Sequence, residues 1–124
     1  MGDSITQLWQ FASPETSGAH RVNRDTCGQT TPQMLVRLKV DVLALKPAVV
    51  HIFGGINDIS DNTGPTTLED IRNNISAMVE LAMAHGVTVV LATPLPAAGF
   101  SWAPQLKPGP MIVQYTDWIR RYAA

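Results

Sequence analysis

Ala48-Val49-Val50-His51-Ile52-Phe53-Gly54-Gly55-Ile56-Asn57-Asp58 is the stretch that decides the fold class. Residues 48–53 form a short apolar run, rich in β-branched side chains and stopped by a glycine pair, which reads as a strand buried on both faces. Such strands belong to parallel sheets covered by helices. The segment upstream supplies one helix: Thr30 or Thr31 can cap it, Pro32 suits its first turn, and Met34, Leu35, Leu38, Val42 and Leu45 recur at helical spacing as far as Lys46-Pro47. Downstream, Thr67 and Asp70 resemble a capping box, and Leu68, Ile71, Ile75, Met78 and Ala82 step by three or four up to His85-Gly86. Residues 87–93 are a second buried strand. A proline-rich loop follows over residues 94–110, then an amphipathic helix carrying Ile112, Tyr115, Trp118, Ile119 and Tyr122. Strand alternating with helix predicts an α/β fold, in which ligands bind at the carboxyl ends of the strands.

The two ends of the chain read differently. Gly2-Asp3-Ser4 is turn chemistry that would normally follow a strand, and no such strand precedes it in this sequence. Residues 20–26 are polar around a single valine, Val22, and read as a further strand.

Composition bounds the rest. At 124 residues the chain is one domain at most, and 45% apolar with 15% charged residues describes a globular protein rather than a disordered tail. Nine Lys+Arg against ten Asp+Glu give a net charge of −1 with no run of like charge, which argues against nucleic acid as a partner. No apolar stretch approaches the roughly 20 residues of a membrane span. A lone cysteine, Cys27, makes no internal disulfide and fits a reducing compartment, cytoplasmic for the chain as given, while the native location stays open. No signal peptide is legible, and one belonging to a longer precursor would lie upstream of Met1.

In a parallel sheet the loops that follow strands share one edge. Here three small glycine-marked loops meet there: Gly2-Asp3-Ser4, Cys27-Gly28-Gln29 and Gly54-Gly55-Ile56-Asn57-Asp58. A serine between a tight turn and a helix can expose its hydroxyl as a nucleophile, while a glycine N–H and an Asn amide can donate to a developing oxyanion. That is an acyl-transfer layout. Simpler roles compete with it. Ser4 and Asp3 can cap a helix, Asn57-Asp58 can form an Asx turn, and Cys27 can be a small packing residue. Asp3 and Asp58 read as structural, His51 as a core histidine, and His85 as a partner for the negative end of its own helix. Phe100 and Trp102 either line a pocket or cover the core, and Trp118 and Tyr122 belong to a helix stripe and read as core or as a subunit contact.

Gly2-Asp3-Ser4-Ile5-Thr6, Gly28 within Cys27-Gly28-Gln29-Thr30-Thr31, and Gly55-Ile56-Asn57-Asp58 resemble, in order and spacing, the first three blocks of the GDSL/SGNH hydrolases. The likeness runs along nearly the whole chain. It implies a three-layer, flavodoxin-like parallel α/β fold, here a single partial domain over residues 1–124, truncated and open to rearrangement. It implies Ser4 as nucleophile, with the N–H groups of Ser4 and Gly28 and the Asn57 side chain as oxyanion hole. The implied reaction is hydrolysis of short-acyl esters through an acyl-enzyme, on a small-molecule substrate and with no metal or organic cofactor. The family includes lysophospholipases, thioesterases and carbohydrate acetylesterases.

Two departures qualify the match. The family's fourth block, an Asp-x-x-His that supplies the base, has no counterpart, since no histidine follows His85. The family's first strand is missing as well, so the chain reads as an internal fragment of a longer hydrolase. His20 lies eight residues before Gly28 and His51 six before Asn57. At ~3.3 Å per residue, each falls on the order of 20 Å from its strand's active-site end. His20 is the base candidate if the fold is remodelled or a second subunit contributes. Uncovered strand edges predict a homo-oligomer. The alternative is a catalytically inert fragment that acts as a self-associating or ligand-binding α/β module.

Overall fold

The apolar periods settle into five α-helices and two strands in the computed structural model, which describes residues 1–13 and 20–124. In chain order these are α1 (Ser4–Ala12), α2 (Thr31–Asp41), β1 (Val49–Ile52), the single turn α3 (Ile56–Ile59), α4 (Leu68–Ala84), β2 (Thr88–Leu91) and α5 (Gly109–Ala123). The architecture is α/β with a small parallel sheet. β1 and β2 pair in parallel, with Val50 opposite Val89 and Ile52 opposite Leu91. On the other side of β1, Gly2 forms an isolated parallel bridge with Phe53. There the Met1 N–H donates to the His51 carbonyl (2.7 Å) and the Phe53 N–H to the Met1 carbonyl (3.0 Å). Gly2-Asp3-Ser4 is therefore delivered to the carboxyl end of the sheet by a short extended segment.

α4 packs against α2 and β2, and α5 against α4 and β2. Met34 and Leu38 from α2, Ile71, Ile75 and Met78 from α4, and Tyr115 and Ile119 from α5 close over Val50 and Ile52 as one core. α4 begins and ends as its sequence dictates. Thr67 caps it and exchanges hydrogen bonds with Asp70 (Asp70 N–H to Thr67 Oγ1, 3.1 Å; Thr67 N–H to Asp70 Oδ2, 3.2 Å). At its other end the Gly86 and Val87 N–H groups turn back to the Met83 and Ala82 carbonyls, and the His85 ring sits 2.8 Å from the Leu81 carbonyl. Among the described residues no helix is long and apolar enough to cross a membrane.

Four expectations are corrected. The strand read over residues 20–26 does not form. Asn23 there donates from its side chain to the Thr6 carbonyl (3.1 Å) and accepts from the Asp25 N–H (2.8 Å), and this local bonding displaces a ladder. The helix read as far as Lys46 ends at Asp41. A 3-10 turn, Leu43–Leu45, follows, and Lys46 takes a left-handed backbone (φ 49°) ahead of Pro47. That tightening buries Leu43 and leaves Leu45 exposed. The strands are not covered on both faces either: Val50, Ile52, Val89 and Leu91 face the core, whereas Val49 (54% exposed) and Val90 (48% exposed) lie on an open outer face. Cys27, read as a packing residue, is exposed. In the loop after β2, Phe100 joins the core while Trp102, stacked on it at 4.9 Å, stays exposed.

Candidate active site

Ser4 is placed by its neighbours on either side. Gly2 is wedged between the end of β1 and Asp25: a Cβ there would lie 2.7 Å from the Phe53 carbonyl oxygen and 2.8 Å from Asp25 Oδ1, so only glycine lets the chain pass. Asp3 then caps α1, its carboxylate accepting from the Ile5 N–H at 3.0 Å. Burial raises the Asp3 pKa above its ordinary value, and the nearby Asp25 charge adds to that. Ser4 opens the first turn of α1 half-buried, and neither its N–H nor its hydroxyl has a hydrogen-bond partner among the described residues.

The second loop is tied to the first. The Thr26 N–H donates to the Gly2 carbonyl (3.1 Å), and the Cys27 N–H donates to the side-chain oxygen of Gln7 on α1 (2.6 Å). Arg37 on α2 reaches back to the Thr26 hydroxyl (2.7 Å) and to the Gln29 side chain, both times as donor. Between these anchors the Gly28 N–H has no partner among the described residues.

The third loop is shaped by a ring. Gly55 has φ +104°, and a Cβ there would sit 2.6 Å from the Tyr115 ring. The Tyr115 hydroxyl donates to the Gly54 carbonyl at 2.9 Å, fixing the turn against α5. Asn57 and Asp58 leave this turn buried. One N–H of the Asn57 amide donates to the Gln29 carbonyl (3.0 Å), and the other has no partner among the described residues. Asn57 Oδ1 accepts from Asn62 Nδ2 at 3.1 Å. Asp58 accepts from the Thr31 N–H (2.9 Å to Oδ2) and from the Thr31 hydroxyl (2.6 Å to Oδ1), locking the start of α2 to the loop. Burial raises the Asp58 pKa, with the Thr31 hydrogen bonds opposing. Asp3 and Asp58 are thus structural, as the sequence suggested.

Direct hydrogen bonds therefore join the loops of Ser4, Gly28 and Asn57. The histidines lie elsewhere. His20 is exposed in a turn and, with Trp9, Val49 and His51, lines a groove of about 750 Å³ beside the amino-terminal half of β1. Ser4 is not among the residues of that groove, and no hydrogen bond links His20 to it. His51 is half-buried rather than enclosed in the core. Burial holds its pKa below the ordinary value, and Asp25 opposes that shift. His85 bonds its own helix end. No group of three His, Cys, Asp or Glu side chains among the described residues is arranged to hold a metal ion.

Sequence reading missed Asn62, Ser60 and Gln7, which hold the donors from behind. The signal for the first two was the polar turn after Asn57, read only as a loop.

The chain can now be set against known proteins. The profile of the GDSL-like lipase/acylhydrolase family matches residues 1–124. The comparison with curated proteins gives no match. Among solved structures, a candidate acylhydrolase from Bacteroides fragilis NCTC 9343 is 40% identical with a TM-score of 0.95, over 99% of this chain and 60% of that one. A GDSL-like lipase from Bacteroides thetaiotaomicron VPI-5482 is 38% identical with a TM-score of 0.93, over 99% of this chain and 61% of that one. An acetylxylan esterase from Geobacillus stearothermophilus is 25% identical with a TM-score of 0.71, over 96% of this chain and 56% of that one. The chain thus spans about 60% of the length of the first two relatives. With a family match along its whole length and two relatives near 40% identity, the chain belongs to the GDSL-like lipase/acylhydrolase family.

Proposed function

We propose that the chain carries the nucleophile and oxyanion hole of a carboxylic ester hydrolase acting on short-acyl esters. The observation that supports this most is the set of unpartnered donors. Among the described residues the N–H groups of Ser4 and Gly28, one N–H of Asn57 and the Ser4 hydroxyl have no hydrogen-bond partner, in loops otherwise tied to one another by hydrogen bonds. Ser4 Oγ attacks the ester carbonyl and gives up its proton, and the three donors hold the tetrahedral oxyanion. Collapse expels the alcohol, which takes a proton, and leaves an acyl-Ser4 ester. Water then attacks that ester and releases the acid. An acetylxylan esterase among the relatives makes acetyl esters the first substrates to try.

The proton acceptor is the open role, and His20 is its candidate within this chain. The test is turnover of p-nitrophenyl acetate by the full chain, with Ser4→Ala and with each histidine replaced singly. Labelling by a fluorophosphonate, read by mass spectrometry at Ser4, accompanies it. Ser4→Ala is expected to lose both turnover and label, and loss on replacing His20 assigns the base. Without any base, an oxyanion hole and binding alone retain roughly 10³–10⁴-fold catalysis over water. Slow turnover that depends on Ser4 but on no histidine would therefore mean that the base lies outside these residues. Equal rates in Ser4→Ala and wild type overturn the reading. The second reading, an inert self-associating module, is favoured by the open apolar face at Val49 and Val90.

A further inference from the structure

Asn62 lies five residues beyond Asn57, outside all three sequence blocks, and its side chain touches two of them at once. One N–H of its amide donates to the Gly28 carbonyl at 3.2 Å and the other to Asn57 Oδ1 at 3.1 Å. Its own oxygen accepts from the Ser60 hydroxyl at 2.8 Å. Both donors and the acceptor of one side chain are thereby engaged. The backbone beneath it is fixed as well: the Asn62 N–H donates to the Asn57 carbonyl at 3.0 Å, and Asp61 adopts a left-handed conformation (φ 57°).

Two consequences follow for the donors. An Asn amide can be turned over, exchanging its oxygen and nitrogen. Turned over, Asn57 would set an NH₂ against the Asn62 NH₂ and another acceptor against the Gln29 carbonyl. The bond from Asn62 therefore selects the orientation that presents the free Asn57 N–H outward. The Gly28 carbonyl is held by the same amide, while Gln7 holds the preceding Cys27 N–H at 2.6 Å, so Gly28 is gripped on both sides. Asn62 thus bridges the two donors directly, alongside the bond from Asn57 to the Gln29 carbonyl.

We propose that Asn62 is a positioning residue for the oxyanion hole, acting through Gly28 and Asn57 without touching substrate. The inference rests on the ester-hydrolase reading of Ser4, Gly28 and Asn57, and its test separates the two. Preorganised donors act on the transition state, so loosening them lowers kcat and leaves KM in place. In the full chain, Asn62→Ala removes the clamp. Asn62→Asp keeps its shape and the Ser60 bond but removes both N–H donors. With p-nitrophenyl acetate, and with rates normalised to sites titrated by a fluorophosphonate, both variants are expected to lose roughly 10-fold or more in kcat, with KM within about a factor of two. A rise in KM at unchanged kcat, or full activity of Asn62→Asp, overturns the proposal.

A readout independent of turnover is nuclear magnetic resonance of the ¹⁵N-labelled chain. The Gly28 amide and the Asn57 side-chain amide are expected to shift in both variants, whereas the Gly86 amide, at the far end of α4, stays in place. If the Gly28 and Asn57 signals stay unmoved, the clamp does not exist. If they shift while the wild-type chain shows neither turnover nor Ser4 labelling, the ester-hydrolase reading fails and the clamp stands as geometry alone. Should neither variant fold, the wild-type chain still decides. Through-hydrogen-bond coupling between Asn62 Nδ2 and the Gly28 carbonyl carbon supports the clamp, and its absence overturns it.

Discussion

Asp58 is a carboxylate only 3% exposed that accepts hydrogen bonds from the Thr31 N–H and hydroxyl. Thr31 in turn accepts from the Asn74 side chain at 3.1 Å, so α4, α2 and the Asn57 loop meet at one threonine hydroxyl. Replacing Asp58 by Ala leaves the Thr31 N–H and hydroxyl buried without an acceptor. A loss of about 2–4 kcal/mol in urea unfolding is expected. Asp58→Asn keeps one acceptor oxygen and should lose less. The pH dependence has a definite sign. Burial raises the Asp58 pKa above 3.8, so the folded chain binds that proton more tightly than the unfolded chain. The contribution is complete below the unfolded value and is lost as pH rises through the folded one. The thermal midpoint of the wild type should therefore fall relative to Asp58→Asn as pH is raised through the carboxylate range. A constant gap between the two across that range would show that burial does not govern Asp58.

At the scale of elements, the cap of α4 predicts the opposite sign. The Thr67 hydroxyl and N–H donate to Asp70 and hold its pKa below the ordinary value. That part of the cap is present above 3.8 and is lost as pH falls through the lowered value. Thr67→Ala should cost about 1 kcal/mol near neutral pH. Thermal melts of the two proteins should converge as the solution is acidified, and parallel curves would contradict the reciprocal cap. This helix was legible in the sequence because its cap, its apolar period and its terminal glycine are each signals read between residues a few positions apart. The same holds for the core stripe of α5 at Ile112, Tyr115 and Ile119. Residues 20–26 misled because the side chain of Asn23 captures backbone groups that a ladder needs, a competition that propensity does not register. In the candidate site, the meeting of the Ser4, Gly28 and Asn57 loops was legible because three short blocks kept their order and spacing. Asn62 was not, because its bond to the Gly28 carbonyl spans 34 residues and a turn asparagine has no distinguishing local signature.

At the scale of the whole molecule, the apolar runs of β1 and β2 carry more hydrophobic surface than this chain covers. Val49, paired with Thr88, and Val90, paired with His51, point away from the core. Nearby on the groove stands Trp9 of α1, itself 52% exposed, and Leu8 and Phe11 of the same helix are exposed as well. Exposed apolar residues are ordinary singly, but several on one sheet face and the groove beside it fit a surface that associates. A stable interface needs about 1,200 Å² or more of total buried area, which an outer sheet face together with a neighbouring helix can supply when two copies meet. Burial of apolar area at about 25 cal/mol per Å² then competes with the cost of association. The purified chain is accordingly expected to elute as a dimer or larger in light-scattering chromatography at micromolar concentration. Val90→Lys places a charge in the centre of that face and should shift the mass toward one chain. Val113→Lys, on the exposed side of α5 where the side chain is 60% exposed, serves as the control and should leave the mass unchanged. A wild-type mass of one chain across the concentration range would refute association. Equal shifts in both variants would refute its assignment to the sheet face, because a charge added away from that face would then act as strongly as one added on it.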